Sequence, residues 1–219
     1  MTLVKICGIT NLDDAHQAVE YGADILGFNF YSSSPRYIAP GTAKHIDERI
    51  RAKAAVKTVG VFVNEQLDRV LETAILANID FIQLHGDESP NYVENVRDNS
   101  GLGIIKAFRV NEQLRIADLK EYPLTSELYD EMSGILLDAY SPSVYGGSGL
   151  VVDWEFAMAA ANDLFRVYLA GGLNPENVRQ AIERVRPFAV DVASGVESSP
   201  GKKDPKKVAA FIRAAKEAI

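Results

Sequence analysis

The sequence predicts an α/β chain folded as a single (β/α)8 TIM barrel over residues 1–219. Three observations carry that expectation. Short β-rich apolar runs alternate with helical segments about eight times. The 219 residues leave about 27 per unit, room for a short strand, short loops and a three-turn helix. The expected strand ends carry polar residues or glycine: Cys7, Asn29, Asn64, His85, Arg109, Asp138, Gly171 and Ser194. An open doubly wound sheet gathers its site at one switch point, whereas a barrel turns every strand end to a common mouth.

The strands are expected near residues 3–7, 24–30, 56–63, 80–85, 103–109, 134–138, 166–170 and 189–193. Several are continuous apolar runs, such as Val59-Gly60-Val61-Phe62-Val63, as parallel strands covered on both faces require. The helical period runs between them. Leu67, Val70, Leu71, Ala74 and Ile75 share one expected face, as do Val178, Ala181, Ile182 and Val185, and again Val208, Phe211, Ile212 and Ala215. Ser89-Pro90, Asn174-Pro175 and Asp204-Pro205 each place a capping side chain before a proline at the first helical position. Thr10 with Asp13 resembles a capping box. The stretch from Glu121 to Ser133 is the least regular, and no low-complexity linker divides the chain.

Net charge is −7, from 30 acidic and 23 basic residues, so neither nucleic acid nor an anionic membrane is an expected partner. A pocket of backbone N–H groups still binds a small anion inside an acidic protein. No run approaches the roughly 18 apolar residues of a membrane span. The opening residues read as a strand rather than a secretory signal. Cys7 is the only cysteine, so no intrachain disulfide forms, which fits a reducing, cytoplasmic setting. His16, His45 and His85 lack metal-ligand spacing, and neither metal nor cofactor is expected.

Cys7 ends the first strand just before a helix, where the dipole favours thiolate, and Lys5 shares its strand face. A thiol pKa below the free value is therefore expected, although a free Cys is also a common buried apolar residue. Asp138 ends Gly134-Ile135-Leu136-Leu137 and reads either as a turn residue or as a carboxylate held by a rigid strand. Glycine-rich Tyr145-Gly146-Gly147-Ser148-Gly149 follows and reads as a mobile lid, a phosphate cradle or only a flexible connection, with Gly147 a candidate substrate contact. Gly171 and Gly172 close the seventh strand, and Ser194 and Gly195 the eighth. That pair of loops is where barrels often hold phosphate. Arg36, in Ser34-Pro35-Arg36, is either a solvated charge or a planar fork for a carboxylate. His85 either orients substrate or caps a neighbour. Asp191, inside the eighth strand, is buried with a partner or faces the mouth.

Together these segments resemble phosphoribosylanthranilate isomerase along nearly the whole chain. The motifs are Lys-Ile-Cys-Gly-Ile-Thr at 5–10, Gly-Phe-x-Phe at 27–30 with Ser-Pro-Arg at 34–36, and Val-Gly-Val-Phe-Val-Asn at 59–64. Gln-Leu-His-Gly-Asp-Glu follows at 83–88, Leu-Leu-Asp at 136–138, Gly-Gly-Ser-Gly at 146–149 and Asp-Trp at 153–154. Ala-Gly-Gly-Leu-Asn-Pro-Glu-Asn-Val fills 170–178, Val-Asp-Val-x-Ser-Gly-Val-Glu 190–197 and Pro-Gly-x-Lys-Asp 200–204. Val152 and Ala193 depart from the common pattern.

The resemblance implies an Amadori rearrangement in tryptophan biosynthesis, from the aminoaldose N-(5'-phosphoribosyl)anthranilate to 1-(2-carboxyphenylamino)-1-deoxyribulose 5-phosphate. It assigns general base to Cys7, general acid to Asp138, the anthranilate carboxylate to Arg36, and phosphate to the loops after strands six, seven and eight. The expected partner is that small phosphosugar-anthranilate substrate, with the protein a monomer or homodimer. Two rivals remain: another phosphosugar isomerase or epimerase, and a non-catalytic phosphate-binding barrel.

Overall fold

The computed structural model describes residues 2–122, 124, 132–139, 152–163 and 165–218. Its eight parallel strands are β1 (Leu3–Cys7), β2 (Ile25–Asn29), β3 (Lys57–Phe62), β4 (Phe81–Leu84), β5 (Gly103–Val110), β6 (Gly134–Ala139), β7 (Val167–Leu169) and β8 (Ala189–Val192). Each pairs with the next, and β8 pairs with β1 to close the barrel, with Lys5 opposite Asp191. Every expected strand is present, displaced by at most one residue at either end.

The helices on the outside are α1 (Leu12–Glu20), α2 (Pro40–Arg51), α3 (Leu67–Ala77), α4 (Pro90–Ser100), α5 (Ile116–Lys120), α6 (Trp154–Asn162), α7 (Val178–Val185) and α8 (Pro205–Lys216). After β8 comes a short 3-10 helix, Ser194–Val196. It leads into an antiparallel hairpin, β9 (Glu197–Ser199) and β10 (Lys202–Lys203).

The two-residue alternation of the strands makes two apolar layers. Ile25, Val59, Phe81, Ile105, Leu136, Tyr168 and Ala189 fill the barrel interior. Their outward neighbours, including Ile6, Leu26, Ile82, Ile135, Leu137 and Val190, pack in a second cluster with the buried faces of the helices. The expected stripes of α7 and α8 are buried in full. On α3 the buried face is Val70, Ala74 and Ala77, and Ile75 is 81% exposed. Ile75 is one residue past Ala74 and so turned about 100° from it, off the face that meets the barrel.

The caps differ in two places from the expectation. The cap of α1 is Asn11, whose Oδ1 accepts from the Asp14 amide at 2.9 Å. Thr10 instead donates its hydroxyl to the Gly201 carbonyl at 2.6 Å. Asn174 does not start α7. Its side chain accepts from the amides of Glu176 and Asn177 in a turn, and the helix begins at Val178. Ser89 and Asp204 cap α4 and α8 as the sequence indicates.

The end of the barrel away from the mouth is tied by charge. Arg51 of α2 bonds Asp47 at 2.7 Å and Asp80 at 2.6 Å, and Asp80 also accepts from the Thr58 amide at 2.8 Å. Among the described residues no helix is long and apolar enough to cross a membrane.

Candidate active site

The same alternation that fills the barrel places chemistry above the apolar layer. On β1 it turns Lys5 and Cys7 inward, on β6 Leu136 and Asp138, and on β8 Ala189 and Asp191. On β4 it does the same for Phe81 and Gln83, with His85 following. One pocket at the C-terminal mouth is lined by Cys7, Asp138, Arg36, His85 and Asp191, and by Gly171, Gly172, Ser194 and Gly195. Nine of the ten candidate residues thus converge. Gly147 and its loop lie outside the described residues. Asn64 and Arg109, also expected strand ends, do not line this pocket; Arg109 pairs with Asp87, and both line a second pocket.

Cys7 sits beside Gly27 of β2 in the strand register. A Cβ on that glycine would lie 2.7 Å from the Cys7 sulfur, so the missing side chain is the space the thiol occupies. Below it, the buried Lys5 ammonium bonds Asp191 Oδ1 at 3.0 Å. Asp191 therefore meets both of its expected descriptions: it has a buried partner and faces the mouth.

Burial pushes the Cys7 thiol pKa up, and the Asp191 charge adds to that, while Lys5 and Lys203 pull it down. The net direction is upward. This corrects the expectation of a thiol activated in the resting protein. Lys5 acts with the sign expected of a neighbouring ammonium, but loss of water around the sulfur outweighs it. Lys5 itself keeps its proton: burial opposes its charge, yet Asp191 and Cys7 together raise its pKa.

Asp138 is buried at the end of β6. Its Oδ1 accepts from the Ala139 amide at 2.8 Å, and its Oδ2 lies 3.3 Å from His85 Nε2. The other ring nitrogen, Nδ1, is 2.7 Å from the Gln83 amide nitrogen. With the Gln83 amide nitrogen as donor, Nδ1 is the acceptor and the ring carries its proton on Nε2, the nitrogen nearer Asp138. Gln83 was not among the candidates. The alternation of β4, counted back two residues from His85, is the signal that finds it.

Arg36 reaches the mouth from the loop after β2, but not as a free charge. Glu197 grips it with two bonds of 2.8 Å, Nε to Oε1 and Nη2 to Oε2. Glu197 Oε1 also accepts from the buried Lys203 ammonium at 3.0 Å. Burial works against the Glu197 charge, but Arg36 and Lys203 outweigh it and hold the carboxyl below its usual range. Neither Glu197 nor Lys203 had a local sequence signal for this role, since 161 residues separate Arg36 from Glu197.

Gly171 and Gly172 adopt φ of 77° and 67°, left-handed values that favour glycine. The amides of Gly172, Ser194 and Gly195 donate to no described acceptor. Ser194 opens the 3-10 helix after β8, so the two loops bring N–H groups without a described acceptor to the lining of the pocket from adjoining strands.

The family model for N-(5'phosphoribosyl)anthranilate (PRA) isomerase matches residues 4–214. The chain is 50% identical over 217 residues to the N-(5'-phosphoribosyl)anthranilate isomerase of Citrifermentans bemidjiense, covering 99% of this chain and 98% of that relative. Among solved structures, the phosphoribosyl anthranilate isomerase of Thermotoga maritima matches with a TM-score of 0.84 at 42% identity, covering 99% of each chain. A phosphoribosyl anthranilate isomerase in complex with reduced 1-(o-carboxyphenylamino)-1-deoxyribulose 5-phosphate matches with a TM-score of 0.80 at 41% identity, again over 99% of each. Likeness of this degree holds from one end of the chain to the other and over one closed barrel, and the chain belongs to the N-(5'-phosphoribosyl)anthranilate isomerase family.

Proposed function

We propose that this chain runs its family's isomerisation with Cys7 as general base and Asp138 as general acid, in one barrel domain formed by residues 1–219. The activity is the conversion of N-(5'-phosphoribosyl)anthranilate to the corresponding aminoketose phosphate in tryptophan biosynthesis. The observation that supports the residue assignment is the convergence of a thiol from β1 and a carboxyl from β6 on one pocket.

In its acid form Asp138 gives a proton to the ring oxygen. The C1–O bond breaks toward that oxygen, and the anthranilate nitrogen lone pair forms a C1=N iminium. The Cys7 thiolate then takes the C2 proton; the C–H pair becomes the C1=C2 bond, and the iminium pair returns to nitrogen as an enolamine. A positioned acid or base each typically supplies about 10²–10⁴ in rate. Moving one proton from the 2-hydroxyl to C1 gives the ketone. The Cys7 thiol gives its proton to C1 and the Asp138 carboxylate takes the 2-hydroxyl proton, so both groups end the cycle as they began it.

The raised thiol pKa fits this order of events. Burial disfavours thiolate before the reaction begins, and the cation made beside it on ring opening favours thiolate when it is needed. His85, whose Nε2 lies 3.3 Å from Asp138 Oδ2, is placed to stabilise the carboxylate left after proton donation. Arg36 binds the anthranilate carboxylate through the fork edge that Glu197 leaves free. Gly171, Gly172, Ser194 and Gly195, with Gly147, hold the phosphate. Asp191 anchors Lys5 beneath the thiol and faces the substrate. Holding both ends of the substrate fixes C2 against the thiol.

The protein acts in the cytoplasm as a monomer or homodimer, which a native mass measurement distinguishes. The activity is tested by making the fluorescent substrate from anthranilate and phosphoribosyl pyrophosphate with the upstream transferase. Addition of this protein is expected to quench the signal. A steady signal would favour the phosphate-binding barrel or a different phosphosugar.

A further inference from the structure

The hairpin after β8 fastens two loops of the mouth at once. Thr10 bonds the Gly201 carbonyl at 2.6 Å, and the Lys203 amide bonds Asp14 Oδ2 at 2.8 Å, so the hairpin is tied to the loop and helix that follow β1. Through Glu197 it is tied to Arg36 in the loop after β2. Lys203, almost fully buried, sits at the centre and donates to the Cys7 carbonyl at 2.6 Å, the Ala193 carbonyl at 3.2 Å and Glu197 at 3.0 Å. One carboxylate is thus shared by two cationic side chains; burial pulls the Lys203 pKa down, and Glu197 opposes that shift.

The fork of Arg36 has five N–H donors in a fixed plane. Glu197 occupies Nε and one hydrogen of Nη2. Both hydrogens of Nη1 and one of Nη2 have no described acceptor, and Arg36 lines the pocket. The stem of Arg36 lies across Gly8, where a Cβ would approach Arg36 Cδ to 2.6 Å. The guanidinium is held on one edge by a carboxylate and along its stem by the peptide that follows Cys7.

We propose that Glu197 is the positioning residue that makes this site select a substrate with a carboxylate on its arylamine part. By clamping the Nε edge, it turns the Nη1 edge toward the mouth at a fixed distance from Cys7. A planar two-point contact then registers the arylamine, and the reacting carbon, against the thiol. Lys203 is the counter-charge that keeps Glu197 ionised with its geometry fixed. The proposal rests on Arg36 receiving the substrate carboxylate.

The test uses the full-length protein and two probes: reduced 1-(2-carboxyphenylamino)-1-deoxyribulose 5-phosphate and its analogue without the ring carboxyl. Their inhibition constants are compared in the unaltered protein, Glu197→Gln, Glu197→Asp, Arg36→Met and Arg36→Met/Glu197→Gln. Glu197→Gln is expected to cut the preference for the carboxylated probe about 10-fold or more, as the loss of one aligned charge-assisted contact does. Binding of the carboxyl-free probe is expected to stay within about 3-fold, KM to rise far more than kcat falls, and Glu197→Asp to recover part of the preference. In the Arg36→Met background, Glu197→Gln is expected to add no further loss of preference.

Equal weakening of both probes by Glu197→Gln, or an added loss of preference without Arg36, would overturn the proposal and leave Glu197 a structural residue. An Arg36→Met variant that keeps the full preference would overturn the Arg36 reading itself, and the proposal with it. Should Glu197→Gln fold poorly, Glu197→Gln/Lys203→Met removes the stranded ammonium and is expected to show the same loss of preference. Retained preference there overturns the proposal.

Discussion

Cys7 and Gly27 face one another across the first strand pair, and the sulfur occupies the volume a side chain at Gly27 would fill. Gly27→Ala would bring a methyl to 2.7 Å from the sulfur and 3.1 Å from the Cys7 Cα, with the Cys7 backbone fixed in the sheet. Overpacking of this kind costs about 1–3 kcal/mol. The variant is expected to unfold at a lower denaturant midpoint and to lose turnover beyond what its stability explains, as urea melts and kcat on folded protein will show.

Cys7→Ser and Asp138→Asn remove the two proposed proton-transfer groups and leave in place the loops proposed to hold phosphate. Each is expected to lower kcat about 10²–10⁴-fold with a much smaller change in KM. Near-normal turnover in steady-state assays of either variant would remove that residue from its assigned role.

The resting thiol is expected to titrate above its ordinary value of 9.0, because burial outweighs Lys5 and Lys203. Thiolate absorbance of the free protein, followed with rising pH, should climb only beyond that value, and alkylation of Cys7 by iodoacetamide should be slow at neutral pH. A midpoint below that same value would show instead that the lysines prevail.

Gln83→Leu removes the amide paired with His85 Nδ1. The ring is then expected to populate both tautomers, visible in the nitrogen chemical shifts of His85, and kcat to fall about 10-fold or more with KM less affected. An unchanged tautomer would mean that Asp138 alone orients the ring.

The Asp80 pKa is lowered: burial opposes its charge, but Arg51, the Thr58 amide and Lys57 outweigh that. A carboxylate more acidic in the folded than in the unfolded chain stabilises above its unfolded value, and that stability fades as pH falls through the folded value. Asp80→Asn is therefore expected to be less stable at pH 7, with the gap to the unaltered protein closing in acid below the ordinary aspartate value of 3.8. Urea melts at the two pH values measure the gap.

The barrel was legible in the sequence because its signals are local and periodic. Continuous apolar runs marked β3 and β6, and the stripes of α7 and α8 fixed their buried faces. The site was legible where a residue ends a strand, as Cys7 and Asp138 do, since a closed parallel barrel sends all such ends to one place. Gln83 was readable from the two-residue period but stood in the shadow of His85. Glu197 and Lys203 were not readable, because their partner Arg36 is joined to them only by closure of the ring. The direction of the Cys7 shift was misjudged for a related reason: neighbours along a strand show in sequence, whereas the dryness around a sulfur is set by the whole barrel.

The seam between β8 and β1 has a consequence for how activity is acquired. Lys5 with Asp191, Thr10 with Gly201, and Cys7 with Lys203 join the two ends of the chain across 186, 191 and 196 residues. Contacts so distant in sequence form only after intervening chain has been ordered. Turnover should therefore return last when the unfolded protein is diluted from denaturant, lagging behind helix content. A chain severed midway would give two inert halves, one bearing the thiol and the other the carboxyl, that become an isomerase only when they reassemble.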